Sequence, residues 1–327
     1  MKISIIIPVY GVEKYIKKNI ESLLAQKYED LEFVFVDDCS KDHSMNILNE
    51  SIHLFKKNAI KIVKHDYNQG VGAARLTGLM NATGDYVWFI DSDDWIDSNA
   101  TILLSKIIEE YRPDIVQFSH IEETNDRNIR RINDGVTLEK LLWLRTYPCL
   151  WRNVFKKQFL VENEIYPVAG INYAEDFEMI SRIYALTKKI VLLPTAYLYN
   201  YNNTNVNSYT HNINLKSLHY CIDSCNSIYD FYKSKNLLDF VKPCFIYVYL
   251  RWFIEISNKD NEYLGMNIAY NNIMKMYPQL RWYVDFAIKN KKTGLILFAL
   301  KLYRIVKFNL LYNFSSHYKP TVVRALV

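Results

Sequence analysis

The chain has 327 residues, a formal net charge of +5, half of its residues apolar, and only nine Gly and eight Pro. That excludes a disordered chain or a small metal-stapled module, and suits one sizeable domain with an appended region. No apolar run reaches the about 20 residues of a spanning helix, and the opening residues 1–8 form too short a run for a secretory signal.

Five Cys at irregular spacing (39, 149, 221, 225, 244) suit a reducing cytoplasm rather than a disulfide framework. The 26 Tyr and 16 Phe fit an aromatic core, with sugar or membrane surfaces as the other use. Charge is unevenly spread. Residues 286–327 carry eight Lys or Arg and no Asp or Glu, leaving 32 basic and 35 acidic residues before them. A mildly acidic body with a basic tail reads as a surface-docking device, not as a nucleic-acid binder.

In chain order, residues 3–9 form a β-branched apolar run that predicts a buried strand, and residues 12–26 show helical periodicity. Residues 31–36 predict a second buried strand, closed by Asp37-Asp38-Cys39-Ser40. Residues 44–55 read as a helix and 60–63 as a third strand. Asn68-Gln69-Gly70-Val71-Gly72 is a loop, followed by a helix over about 73–80. An apolar strand beginning at Tyr86 then ends in Asp91-Ser92-Asp93-Asp94. Four strands alternating with helices predict right-handed βαβ units, hence an α/β fold built on a mainly parallel sheet.

Charge at the end of a buried strand needs a partner or a cleft, and the carboxyl edge of a parallel sheet is such a cleft. Two carboxylate-bearing strand tips, Asp37/Asp38 and Asp91/Asp93/Asp94, fall on that edge. Hard carboxylate oxygens there suit Mg²⁺ or Mn²⁺ carried in with substrate phosphates. Arg75, where a dinucleotide fingerprint needs a third Gly, disfavours a Rossmann oxidoreductase. An Arg one turn into a helix behind a Gly-rich loop is instead suited to meet a phosphate.

Ile7-Pro8-Val9-Tyr10, Val36-Asp37-Asp38-Cys39-Ser40-Lys41-Asp42, Asn68-Xaa-Gly70-Xaa-Gly72-Ala73-Ala74-Arg75 and Asp91-Ser92-Asp93-Asp94 follow one another over about the first 100 residues. In that order and spacing they resemble the motifs of family-two glycosyltransferases with the GT-A fold. The resemblance implies a UDP-sugar donor and Mn²⁺ or Mg²⁺. Pro8 and Tyr10 would border the nucleoside, Asp38 beside Asp37 would meet the uracil, and Arg75 would approach the base or diphosphate. Asp91 would lie near the ribose with Ser92 in the same turn, and Asp93 would hold the metal. Cys39 and Leu76 depart from the usual Gly or Asn and Asn at their positions.

Residues 114–119 predict a further strand, and 122–135 a polar hairpin or loop. Tyr173-Ala174-Glu175-Asp176-Phe177-Glu178 opens a helix. Acidic residues are favoured by the dipole of a first turn, yet sugar transfer also needs a base for the acceptor hydroxyl. Glu175-Asp176, after a Trp-Xaa-Xaa-Xaa-Phe-Lys block, resembles the family's base motif, with Asp176 as base and Glu175 as the ambiguity. Trp151 is either an acceptor platform or a buried structural residue. Residues 190–193 and 196–201 predict two short strands, and the polar loop 202–210 could hydrogen-bond sugars or diphosphate.

From residue 215 onward the pattern is helical, with no further strand expected. His219-Xaa-Cys221-Xaa-Xaa-Xaa-Cys225 reads as helix packing, lacking the four ligands of a structural zinc site. Residues 289–314 read as an interfacial membrane helix or as a helix packed on protein. The expected organisation is a catalytic domain over 1–211, with a nucleotide half 1–100 and an acceptor half 101–211, then a helical region 212–327. The expected activity is an inverting, metal-dependent hexosyl or N-acetylhexosaminyl transfer to a lipooligosaccharide, capsule or similar glycan. The acceptor would be a glycan or lipid-linked glycan at the inner face of the cytoplasmic membrane, with self-association left open. A catalytically silent glycan- or membrane-binding partner of a polysaccharide synthase and a nucleotidyltransferase are the alternatives.

Overall fold

The computed structural model describes residues 1–325 apart from 57–58, 143, 206–212, 261 and 291–319. At its centre β1 (Ile3–Val9) pairs in parallel with β2 (Leu31–Asp37) on one side. On the other side it pairs in parallel with β4 (Tyr86–Phe89), and β3 (Ile60–Lys64) extends the parallel set beyond β2. The connecting helices are α1 (Ile16–Leu24), α2 (Ser44–Ser51) and α3 (Val71–Asn81).

Side chains of β1 alternate between two cores. Ile6 joins Val34, Val36, Ala74 and Leu79 under α3, whereas Ile5 and Ile7 join Phe35, Ile20 and Leu48 under α1 and α2. Burial on both faces is why these strands read as continuous apolar runs instead of alternating ones. α3 lies close enough to the sheet that a Cβ on Gly78 would stand 2.2 Å from Ile6 Cγ2.

Beyond β4 the sheet becomes mixed. β5 (Trp95–Ile96), α4 (Ala100–Tyr111), β6 (Ile115–Glu123), β7 (Asn128–Arg131) and α5 (Leu138–Leu142) follow. β8 (Asn153–Lys156) lies antiparallel between β4 and β6, and α6 (Lys157–Glu162) and α7 (Glu175–Leu186) lead into β9 (Lys189–Asn202), parallel to β6. The two short strands expected over 190–201 are this one strand. Its register against β6 slips where Leu193 faces Phe118 and Tyr197 faces Ser119. Pro194 sits in the slip, and a residue without an N–H is tolerated at a bulge. The polar stretch 122–135 contains the second strand of the β6–β7 hairpin.

The C-terminal helices are α8 (Leu215–Ser234), α9 (Leu238–Ser257), α10 (Leu264–Met276) and α11 (Arg281–Asn290), with α8 packed on α7 within the α3-side core. Cys221 and Cys225 are buried in that packing. One unexpected element follows: β10 (Thr321–Arg324) adds a parallel edge strand to β9. Four residues after a Pro carry too little periodicity to predict a strand. Among the described residues the sheet order is β10-β9-β6-β8-β4-β1-β2-β3, with β5 on β9 and β7 on β6. No helix among them is long and apolar enough to cross a membrane. The 289–314 segment lies outside the described residues beyond Asn290.

Gly78→Ala sets two effects against each other. Helix propensity alone favours Ala by about 1 kcal/mol, but overpacking Ile6 costs about 1–3 kcal/mol. We expect net destabilisation in urea unfolding; a stabilised variant would show that α3 can lift from the sheet.

Candidate active site

The carboxyl ends of β1, β2 and β4 share one edge, as parallel pairing requires. At the tip of β1, Pro8 is half-buried and Tyr10 is 52% exposed, an aromatic face open to a flat ligand. At the tip of β2, Asp37 accepts from the Ser40 N–H at 2.8 Å and shapes the turn. Cys39 in that turn has φ +60°, a left-handed backbone that favours Gly or Asn, which explains why those residues are usual there.

Asp38 is engaged within the chain itself. It is buried; its Oδ1 accepts from the Gln69 N–H at 2.8 Å and its Oδ2 from the Gly70 N–H at 2.7 Å. His65 Nδ1 lies 2.8 Å from Oδ1, and the ring's other nitrogen is 2.8 Å from the Thr77 hydroxyl on α3. Asp38 therefore ties the loop to the start of α3. The glycines answer to packing as well: a Cβ on Gly72 would stand 2.4 Å from the Val168 carbonyl oxygen, and Gly70 has φ +88°.

Arg75 is also engaged within the chain. Its guanidinium is buried and faces carboxylates rather than an open phosphate site. Nη1 donates to Glu175 Oε1 and Asp176 Oδ1, each at 2.8 Å, and Nη2 donates to Asp91 Oδ1 at 2.8 Å. Burial alone would lower its pKa; Asp176, Asp91 and Glu175 outweigh that and raise it. The planar fork of Arg can bridge these groups where a Lys point charge cannot. One side chain thus joins β4, through Asp91, to the first turn of α7.

Asp176 is further held by the Leu150 N–H, which donates to Oδ2 at 3.0 Å. Burial pushes its pKa up, Arg75 pulls it down, and the charges of Glu175 and Asp91 push it up again, for a net rise. Ala174, in the left-handed region at φ +61°, turns the chain into α7 just ahead of these residues.

The acidic turn after β4 divides its labour. Asp94 is buried, accepting from the Tyr199 hydroxyl at 2.6 Å and the Asn202 N–H at 2.7 Å, while the Asn19 side chain donates to its carbonyl at 2.8 Å. Ser92 is buried beside it. Asp93 is half-buried, accepts from Asn205 Nδ2 at 2.7 Å, and has its pKa pushed up to about 6 by burial and the Asp91 charge. Among the described residues, no group of three or more His, Cys, Asp or Glu forms a closed metal cage. Asp93 offers hard oxygen where negative charge exceeds the single Arg75, which fits a divalent cation completed by a ligand's own phosphate oxygens.

Trp151 is not an open platform. It is 7% exposed, stacked on Tyr199 at 4.5 Å and Tyr201 at 5.6 Å between ring centroids, with His120 edge-on at 4.8 Å. Its carbonyl accepts from Trp88 Nε1 at 2.7 Å. His120 stays neutral, its pKa pushed down to about 3 by burial and then by Arg152 and Arg131. The residues that sequence reasoning missed are Tyr199 and His65, which bond the Asp94 and Asp38 carboxylates, Asn19, which holds the carbonyls of the acidic turn, and Thr77, which holds His65. Only the polar run from Asn202 hinted at this, and its Asn202 and Asn205 side chains bond to Asp93.

A sheet with a parallel N-terminal half, an antiparallel insertion and a carboxylate-rich edge places the chain in the GT-A class of folds. The Glycosyl transferase family 2 profile matches residues 4–167, and the chain belongs to that family. Glycosyltransferase GlyA of Streptococcus pneumoniae is 31% identical over 209 residues, covering 59% of this chain and 29% of that protein. The poly(ribitol-phosphate) beta-N-acetylglucosaminyltransferase TarS of Staphylococcus aureus is 30% identical over 206 residues, covering 61% of this chain and 35% of its own. The chain thus spans about a third of the length of these curated relatives. Residues 1–349 of TarS in complex with UDP-GlcNAc share the fold, with TM-score 0.60, 19% identity, and 89% and 92% of the two chains covered. A mannosyltransferase from Pyrobaculum calidifontis in complex with GDP-Man and Mn²⁺ aligns with TM-score 0.56 and 16% identity, covering 94% and 86%.

Replacing Arg75 with Met leaves three carboxylates facing one another. The expected cost at neutral pH is about 3 kcal/mol, the low end for a broken buried pair because the carboxylates keep some water contact. The sign with pH follows from linkage. Without Arg75 the folded-state carboxylate pKa values rise further, so the folded variant binds more protons and loses stability as pH rises. The deficit against wild type should therefore be largest near pH 8 and shrink toward pH 4 in urea titrations. A deficit independent of pH would mean that Arg75 acts by packing alone.

Proposed function

We propose that the chain is an inverting, metal-dependent glycosyltransferase. It moves a hexose or N-acetylhexosamine from a UDP-sugar to a hydroxyl of a growing surface glycan, lipid-linked at the inner face of the cytoplasmic membrane. The observation that carries this reading is the Arg75 cluster, in which Asp91 of the nucleotide edge and Asp176 of α7 share one guanidinium. A donor-side carboxylate and a candidate base are thereby held in one cleft, as a single displacement needs. The relatives named as sugar transferases, and the TarS complex with UDP-GlcNAc, support the donor class.

In this mechanism Tyr10 and Pro8 border the uridine, and Asp91 and Ser92 line the ribose side. Asp93 would hold Mn²⁺ or Mg²⁺, which when bound offsets the negative charge of the diphosphate. The acceptor oxygen attacks the anomeric carbon as the bond to the diphosphate oxygen breaks, leaving UDP and a glycoside of inverted configuration. The hydroxyl proton passes to Asp176, whose raised proton affinity suits that role. Arg75 orients Asp176 through its Nη1 hydrogen bond.

Two substitutions separate these parts. Asp93→Ala should abolish metal-dependent nucleotide binding in calorimetry; unchanged affinity would remove Asp93 as the ligand. Asp176→Asn should leave donor binding intact and lower the transfer rate by about 10²–10⁴-fold. Near-normal turnover would move the base to Glu175 or elsewhere.

A further inference from the structure

α11 carries a surface that the transfer reaction does not use. Trp282 is 66% exposed, Tyr283 57% and Phe286 42%, while Val284 on the opposite face is buried in the helical core. The Trp282 and Phe286 rings stack at 5.4 Å, and Tyr283 stands edge-on to Trp282 at 5.1 Å. Large exposed aromatics held together on one helix face point to an interaction site.

Spacing and charge say what kind. Trp282, Phe286 and Lys289 fall at i, i+4 and i+7, so they form one stripe that ends in an exposed cation. The helix's acid, Asp285, accepts from the Tyr270 hydroxyl at 2.8 Å. Arg281 begins the helix, Lys291 and Lys292 follow it, and residues 286–327 contain eight cations and no Asp or Glu. Aromatic rings beside a surplus of Lys and Arg match the boundary between acyl chains and anionic headgroups.

We propose that the Trp282–Phe286–Lys289 stripe of α11 is a docking surface for an anionic lipid bilayer. The rings enter the headgroup–acyl boundary while Arg281 and Lys289 meet lipid phosphates. Such docking would bring the cleft to an acceptor borne on the membrane. It uses residues distinct from the cleft and needs no nucleotide, so its test stands or falls separately from the transferase reading.

The test is co-sedimentation of the full chain, without nucleotide, with vesicles of phosphatidylcholine alone or of equimolar phosphatidylcholine and phosphatidylglycerol. Wild type should bind the anionic vesicles, lose that binding in high salt, and ignore the neutral ones. The double variant W282A/F286A should bind about tenfold or more weakly, with an unchanged thermal melt. Brominated phosphatidylglycerol should quench wild-type tryptophan fluorescence more than that of Trp282→Phe, a change too conservative to disturb folding. Equal binding by wild type and double variant, equal quenching, or no wild-type binding would overturn the proposal. Wild-type oligomers that dissociate in W282A/F286A, with no vesicle binding by either, would assign the surface to a second copy instead.

Discussion

A buried guanidinium organises this molecule. Arg75 cannot give up its proton, and an isolated charge inside a protein is prohibitively costly, so carboxylates must come to it. They arrive from the turn after β4 and from α7, the latter 100 residues beyond Arg75 in the chain, each at 2.8 Å. The antiparallel insertion, the loop over Gly72 and the first turn of α7 are all constrained by that meeting. Leu150, whose N–H holds Asp176, ties the segment before β8 to the same point.

Around this cation the negative charge is in excess. Asp91, Asp93, Glu175 and Asp176 face one Arg, and burial first, then the neighbouring carboxylate charges, raise the proton affinities of Asp93 and Asp176. Asp94 shares that rise: burial and the charges of Asp93 and Asp91 raise its proton affinity, which hydrogen bonds from Asn202 and Tyr199 only partly offset. A site with surplus carboxylate is suited to receive a divalent cation and to accept a proton, and the proposed reaction asks for both.

Much of the fold was legible in the chain itself. β1 to β4 are apolar runs of strand length separated by helical periods, and such a pattern has few solutions beyond a parallel sheet covered on both faces. The strand boundaries in this half fall within a residue or two of expectation. Legibility failed where local pattern and tertiary use part company. β10 is too short to announce itself, and β9 looks broken at Pro194 although its pairing with β6 resumes beyond the bulge. Trp151 reads equally as platform or core until Tyr199 and Tyr201 are seen stacked upon it.

The sequence by itself determined the carboxylate-tipped parallel sheet and the residue types available at its edge, because burial pattern and charge position are local properties. It also singled out Asp91, Asp93, Arg75 and Asp176 as candidates for the chemistry. Only the tertiary structure decided how they are paired. Asp38 bonds the start of α3, Arg75 bonds three carboxylates, and Asp94 bonds Tyr199 and Asn202. The reason is physical: a hydrogen bond or ion pair depends on distances between side chains far apart in the chain, and no periodicity along the chain encodes those distances.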